Sequence, residues 1–494
     1  MMPLTVFPVE LFSESLLLIC SVLVFAAVLV TTLGSRWGVP SLLLFLLLGM
    51  AVGQDGLGLK IDDYEAAESF GHFAMTIILF TAGFETSLSE TKPVFRKGII
   101  LSSLGVFLTV LLTGLFVWIT VGGRERIPLL VCFLLAAILS STDSTSVFSV
   151  LKSKKLRLRE NLGPMIELES GSNDPMAYTL TIILVKLLTT KGLFDHDGWT
   201  VAMTVGVVLL IQIGVGLVVG FAVGHAAKWV MKKINLPSFA ITSIMLLSIG
   251  LFANGLASLF SGNGLLAIYV TALIIGNNVK LKQRKEVTNF FDGLTWLMQL
   301  AMFMVLGLLA RPSNMLPMLV SALLIGLFLL FIARPLSVFA CMLPFRGISA
   351  RAKFLTSWVG LKGAGPILFA LCPVVAGMQH ASEIFNIVFL ITLFSLLVQG
   401  GSIGKMAGWL NLSYAEDPKA EVFGMEIPEE MGILRDHIVT SEDLLGGSTL
   451  RDLHLPHGIR VMMVRRGEKF LVPHGSMALE EGDKLIIIMG DSDD

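Results

Sequence analysis

Charge is what this sequence has least of. Only 15% of its 494 residues are Asp, Glu, Lys or Arg, while 54% are hydrophobic and mean hydropathy is +0.81. That balance excludes an ordinary soluble domain and points to a polytopic membrane protein. A net charge of −1 and the lack of a sustained basic run with interleaved aromatics exclude nucleic acid as a partner. Cysteine is scarce too. Cys20, Cys132, Cys341 and Cys372 all lie in apolar segments without metal-ligand spacing, so they read as small buried hydrophobes. No TVGYG-like carbonyl filter is present, which argues against a cation channel. No GxGD-type stretch supports an intramembrane aspartyl protease built on Asp143 and Asp174. The tail has no GxGxxG, so dinucleotide sensing is not expected. Finally, no basic flank precedes the first apolar stretch, about Leu16 to Leu33, which reads as a retained helix and not a cleaved signal.

What is there is a long series of apolar segments. Measured against the ~20 residues that cross a bilayer, thirteen spans fit, near 12–34, 38–53, 66–86, 98–121, 127–150, 164–188, 200–230, 237–259, 263–277, 291–310, 314–343, 353–378 and 384–411. Alternate loops carry Arg36; Lys92, Arg96 and Lys97; Lys152, Lys154, Lys155, Arg157 and Arg159; Lys228, Lys232 and Lys233; Lys280, Lys282, Arg284 and Lys285; Arg346, Arg351 and Lys353. The other loops hold only Lys60, Arg124, Arg126, Lys191 and Arg311, nineteen cations against five. The richer set belongs in the cytoplasm, which puts the amino terminus outside and the carboxy terminus inside. Residues 1–411 are thus the membrane domain and 412–431 a polar linker. Residues 432–494 form a small α+β module, with strands in ILRDHIVT, IRVMMVRRG, KFLVP and DKLIIIMGD and a short helix over TLRDL capped by Ser448.

Four polar features interrupt the apolar helices. The sixth span contains ELESGSNDPMAY, Glu167 to Tyr178, in which Ser170 and Asp174 share a helical face and Asn173 lies beside them. Pro175 removes a backbone donor and frees the carbonyl near Gly171. Carboxylate, hydroxyl and carbonyl oxygens are the ligands that replace water around an alkali cation. The fifth span contains SSTDSTSV, Ser140 to Val147, whose side chains compete for backbone hydrogen bonds, so an unwound segment centred on Thr142 and Asp143 is expected. Arg334 stands two-thirds along the eleventh span and needs a carboxylate; alone it could equally be a structural neutraliser. GLKGAGP, Gly360 to Pro366, breaks the twelfth span and carries Lys362, which either belongs to the site or sits at a cytoplasmic helix end. The third span, partly broken at FTAGFETSL, offers Glu85 as an accessory acid. Glu167 reads as a solvated edge, and His72, His225 and His380 sit singly near span ends with no constellation. Two interrupted helices at corresponding places in two halves point to an inverted-repeat transporter, with spans one to six and eight to thirteen as the repeats.

These residues carry a resemblance. ESGSNDPMA, the STD of the fifth span, IARPLSVFA, LPFRG, SWVGLKGAGPI and NFFDGLTWLMQLAMFMVLGLL are similar to the bacterial monovalent cation:proton antiporters, closest to the NhaP/CvrA-type potassium/proton branch, over nearly all of residues 12–411. GSTLRDLHLP and LEEGDKLIIIMG resemble the TrkA-C (RCK-C) regulatory domain. The resemblance implies a homodimer in the bacterial inner membrane, each protomer an all-α bundle of about thirteen helices with spans five and twelve crossing at the ion site. It implies Asp174 as the carboxylate binding proton or cation, with Asn173 where electrogenic relatives have a second Asp. Thr142, through its backbone, and Ser170 would complete the coordination of the monovalent cation, Asp143 would act through water, and Glu169 would pair with Arg334. Lys362 departs from the GLRG motif of relatives, STDST replaces small apolar residues, and a further cytoplasmic domain of some branch members has no counterpart. Exchange of K⁺, or alternatively Na⁺, for H⁺ is the expected activity, with one carboxylate making it electroneutral. No covalent cofactor and no enzymatic reaction are expected, although a nucleotide such as a cyclic dinucleotide could bind the tail.

Overall fold

The computed structural model describes residues 14–34, 40–60, 62–122, 127–154, 156–190, 198–234, 236–279, 281, 283–345, 347–415, 421–422, 425–426, 434–441, 443–444, 447–453, 459–467 and 469–489. Several sequence expectations rest on positions outside the described residues. These are the loop cations Arg36, Arg124, Arg126, Lys155, Lys191, Lys280, Lys282 and Arg346, and most of the 412–431 linker. Two compact units divide the chain, Met1–Tyr414 and Ala415–Asp494.

The first unit is helical. Its helices run Glu14–Gly34, Ser41–Val52, Tyr64–Glu85, Leu88–Val121, Leu129–Ile138, Ser144–Ser153, Leu162–Thr189, Gly198–Lys233, Phe239–Leu259, Gly264–Asn278, Arg284–Leu309, Pro312–Met342, Ala350–Trp358, Ala364–Val375 and Ala381–Trp409. Seven of them are long and apolar enough to cross a membrane, and five more described helices are shorter but apolar. Breaks at Leu139–Asp143 and at Val359–Gly363 split the fifth and twelfth expected spans into half-helices. The third span differs from expectation. Tyr64–Glu85 is one unbroken helix, capped by Asp63, whose carboxylate accepts from Ala66 N at 2.9 Å. Gly83 serves close packing there: a Cβ would stand 2.6 Å from the Tyr269 carbonyl oxygen.

Packing sorts the helices into two groups. Ser41–Val52, Tyr64–Glu85, Gly198–Lys233, Phe239–Leu259, Gly264–Asn278 and Arg284–Leu309 pack chiefly on one another. The broken spans pack chiefly with Leu88–Val121, Leu162–Thr189, Pro312–Met342 and Ala381–Trp409, and Ala364–Val375 also meets Tyr64–Glu85 and Arg284–Leu309 of the first group. Large apolar side chains such as Leu210, Val218, Phe252 and Val320 face outward, as lipid contact requires. Within lipid, association depends on close backbone approach at small residues. Ser41–Val52 meets Arg284–Leu309 in this way, since a Cβ on Gly49 would lie 2.4 Å from the Met304 carbonyl and one on Gly307 2.4 Å from the Leu46 carbonyl.

The second unit contains a four-stranded antiparallel sheet. Leu434–Ile438 pairs with Lys484–Met489, which pairs with Ile459–Arg466, which pairs with Lys469–Leu471. Val439, Leu453, Val464, Met477, Leu479, Leu485 and Ile487 form its core. Arg466 anchors it by donating to the buried Asp483 carboxylate at 3.0 and 2.7 Å. The helix expected over TLRDL is instead a turn: Asp452 curls back so that its carboxylate accepts from Thr449 N at 3.2 Å and from its hydroxyl at 2.5 Å. Thr449, not Ser448, holds the end.

Gly307→Leu forces apart the backbones at its crossing. Overpacking of this kind costs about 1–3 kcal/mol, and a lowered thermal unfolding midpoint in detergent is the expected result, with Gly307→Ala milder.

Candidate ion site

The two breaks cross in contact. Asp143 N donates to the Leu361 carbonyl at 2.8 Å, joining one unwound segment to the other. A Cβ on Gly363 would stand 2.2 Å from Asp143 Oδ2, so glycine is what allows the approach. Each break also exposes carbonyls that no helix satisfies, and in lipid each needs a donor. Asn173 Nδ2 donates to Ser140 O at 3.3 Å and to Thr142 Oγ1 at 3.1 Å. Ser170 Oγ donates to Thr142 O at 2.5 Å, and Lys362 Nζ to Ser141 O at 2.8 Å. In the other break, Gln399 Nε2 donates to Trp358 O at 2.7 Å, Ser395 Oγ accepts from Lys362 N at 2.9 Å, and Ser395 donates to Gln399 Oε1.

Half-helix ends carry opposite partial charges, positive at amino and negative at carboxy termini. Asp143 caps the amino end of Ser144–Ser153, accepting from Ser146 N at 3.1 Å and from the Ser146 hydroxyl. The Lys362 ammonium meets a carbonyl just past the carboxy end of Leu129–Ile138. Lys362 is buried, 3% exposed, so of the two sequence readings the cytoplasmic helix end is corrected and the interior position stands. Glu169 and Arg334, also buried, are joined by a bond from Arg334 Nη2 to Glu169 Oε1. Arg334 lies against the second break, where a Cβ on Gly360 would stand 2.9 Å from its Nε. A wider helical turn over Leu329–Ala333 precedes it, consistent with the donor that Pro335 lacks.

Asp174 is placed differently. Its Oδ1 accepts from Ser141 Oγ at 2.5 Å, and this neutral hydroxyl is its hydrogen-bond partner among the described residues. It lines a cavity with Ser141, Asp143 and Gly365 on one side and Met75, Gln299 and Phe303 on the other. The first set belongs to the broken-helix group and the second to the other group, so the carboxylate looks into the seam between them. Asn173 is fully buried and its Oδ1 has no hydrogen-bond partner among the described residues.

The structure therefore brings Asp174, Asn173, Ser170, Thr142, Asp143, Lys362, Glu169 and Arg334 to one crossing. Glu85 is not among them: it ends its helix exposed, beside Asp292. Glu167 is half-buried one turn earlier than Ser170. Sequence reasoning missed Ser141, Ser395 and Gln399. Gln399, an amide in the apolar run LLVQGG, carried a usable signal; Ser141 was overshadowed by the adjoining Thr142 and Asp143.

A multi-pass helical protein with two crossed, broken helices beside a buried carboxylate is a secondary ion transporter. The chain belongs to the sodium/hydrogen exchanger family, whose transmembrane domain matches residues 23–409, and it carries a TrkA-C domain over residues 434–493. It is thus a monovalent cation:proton antiporter and not an enzyme. It is 34% identical to the K(+)/H(+) antiporter NhaP2 of Shewanella oneidensis, covering 96% of this chain and 81% of that one. The K(+)/H(+) antiporter NhaP of Alkalimonas amylolytica is 35% identical, with 96% and 80% covered. The sodium proton antiporter MjNhaP1 from Methanocaldococcus jannaschii superposes with a TM-score of 0.64 at 22% identity, over 80% of this chain and 99% of that structure, and so shares the fold.

Arg334→Ala leaves the Glu169 charge buried and unpaired, a change that costs about 3–5 kcal/mol. Thermal unfolding in detergent is expected to fall sharply for this variant and to recover largely in Glu169→Leu/Arg334→Met, which removes both charges together.

Proposed function

We propose that the protein exchanges K⁺ for H⁺ electroneutrally, with Asp174 binding either ion in turn. The observation that carries this reading is the division of labour among the acids. Glu169 is bonded to Arg334 and Asp143 caps a half-helix, whereas Asp174 meets a neutral hydroxyl and faces the seam cavity. One carboxylate that is either protonated or cation-bound couples one proton to one cation. Asn173 adds no charge to that balance, and its Oδ1, which has no hydrogen-bond partner among the described residues, is a further oxygen for the cation. Ser170 Oγ and the Thr142 carbonyl, already in contact, supply others. Sliding of the broken-helix group against its neighbours would open the seam to each side alternately.

K⁺ is preferred to Na⁺ on the strength of the two potassium/proton relatives, since the oxygens alone suit both ions. The same reading takes thirteen passes, counting each pair of half-helices as one. It also takes a homodimer in the bacterial inner membrane, with the amino terminus outside and the TrkA-C module cytoplasmic, where a nucleotide is a candidate ligand. Glu85 is left outside the exchange step, while Lys362 holds the first break closed.

Reconstituted Asp174→Asn is expected to lose exchange by at least the ~100-fold that marks loss of an essential proton-transfer group; exchange at the wild-type rate would refute the assignment. A K⁺, Na⁺, Li⁺ panel of proton fluxes in proteoliposomes is expected to favour K⁺. Imposed membrane voltage is expected to leave the rate unchanged, and cation accumulation driven by voltage alone would rule out electroneutral exchange.

A further inference from the structure

The seam holds a second cluster. Glu68 and His72, four residues apart on one face of Tyr64–Glu85, meet Cys372 of Ala364–Val375, and their ligand atoms all lie within 4.8 Å of one another. Cys372 is buried while Glu68 and His72 are half-buried, so the thiol is sheltered and the other two ligands are reachable. His72 also lines a cavity of about 420 Å³ with Tyr178, Gln212 and Asn254, through which water and small ions could reach the cluster. The His72 ring is steadied by the edge of Tyr178, with centroids 4.8 Å apart.

Chemistry narrows the occupant. An imidazole nitrogen, a thiolate and a carboxylate are the donors of Zn²⁺, whose bonds of about 2.0–2.3 Å reach all three after small side-chain rotations. Mg²⁺ and Ca²⁺ prefer oxygen and gain little from sulfur. Binding releases the thiol proton to water, and a water molecule from the cavity completes a tetrahedron.

Position gives the cluster a consequence. Glu68 and His72 belong to the first helix group and Cys372 to the broken-helix group. Tyr178 is one turn beyond Asp174 on the same helix, and Met75, three residues after His72, lines the Asp174 cavity. An ion held here would tie together the two surfaces that must slide. We propose that Glu68, His72 and Cys372 form a Zn²⁺-class site that bridges the two helix groups and arrests exchange when filled. The arrest rests on the exchange reading above; the binding does not.

Full-length protein in detergent is titrated with Co²⁺ as a spectroscopic stand-in for Zn²⁺. The expected result is about one ion per chain, with a thiolate-to-metal charge-transfer band that Zn²⁺ displaces and excess Mg²⁺ does not. Cys372→Ser is expected to lose the band, and His72→Gln to weaken binding by at least the ~10–100-fold that loss of a mere supporting partner costs. In proteoliposomes, Zn²⁺ is expected to stop K⁺/H⁺ exchange of the wild type and to spare both variants, which exchange normally without it. No thiolate band, or a band that survives Cys372→Ser, overturns the site. A normal band with exchange undiminished by Zn²⁺ overturns the arrest alone. Protein that shows the band but never exchanges counts against the exchange reading and leaves the site standing.

Discussion

Everything at the centre of this protein depends on one constraint: a helix cannot be broken inside a membrane unless each freed backbone group finds a partner. Two breaks cross here, and they satisfy each other. Asp143 N bonds to the Leu361 carbonyl, and the carbonyls of Ser140, Ser141, Thr142 and Trp358 take donors from Asn173, Lys362, Ser170 and Gln399. Most of the polar residues that look like ion ligands in sequence are first of all the supports of an unwound backbone. The Glu169–Arg334 pair, lying against Gly360, fastens the acidic helix to the second break.

Function then comes from what remains after the supports are assigned. A carboxylate already matched by a cation or by helix-end amides has little to offer a passing ion. Among the described residues Asp174 takes its hydrogen bond from the Ser141 hydroxyl and forms no direct ion pair, and it faces the boundary between helix groups and not the interior of either. Weak protein partnership at a boundary between helix groups is what the proposed exchange requires, since binding must be strong enough to accept an ion and weak enough to release it. The Glu68, His72 and Cys372 cluster lies on the same boundary, so the proposed exchange and the proposed metal arrest share one seam.

Much of this was legible in the sequence because membrane constraints are severe. Long apolar runs marked the helices, and a run such as SSTDSTSV or GLKGAGP could only be an interruption. The cost of an unpaired charge required only some carboxylate for Arg334; its pairing with Glu169 was what the family resemblance implied, and the structure brings those two together. What was not legible depended on three-dimensional neighbours. Asp143 was expected to reach the cation through water, and only the structure shows its carboxylate also capping the half-helix behind it by accepting from Ser146 N. Lys362 could be placed at a surface or in the interior until Ser141 O was seen to meet it. Glu85 was tied to an expected break that Tyr64–Glu85 does not have. His72 and Cys372, about three hundred positions apart, seemed unremarkable singly, and only the packing of Tyr64–Glu85 on Leu371–Val375 brings them together. Of the four cysteines read as buried, Cys20 is exposed on its helix.

The central claim is that proton and cation compete for Asp174, and the kinetics of exchange across pH test it most directly. Initial rates in proteoliposomes, measured over a range of K⁺ concentrations at several symmetrical pH values, separate competition from regulation. The account predicts an apparent KM for K⁺ that rises in proportion to proton concentration on the acid side, with the maximal rate unchanged. A KM independent of pH, with acid lowering only the maximal rate, would contradict it.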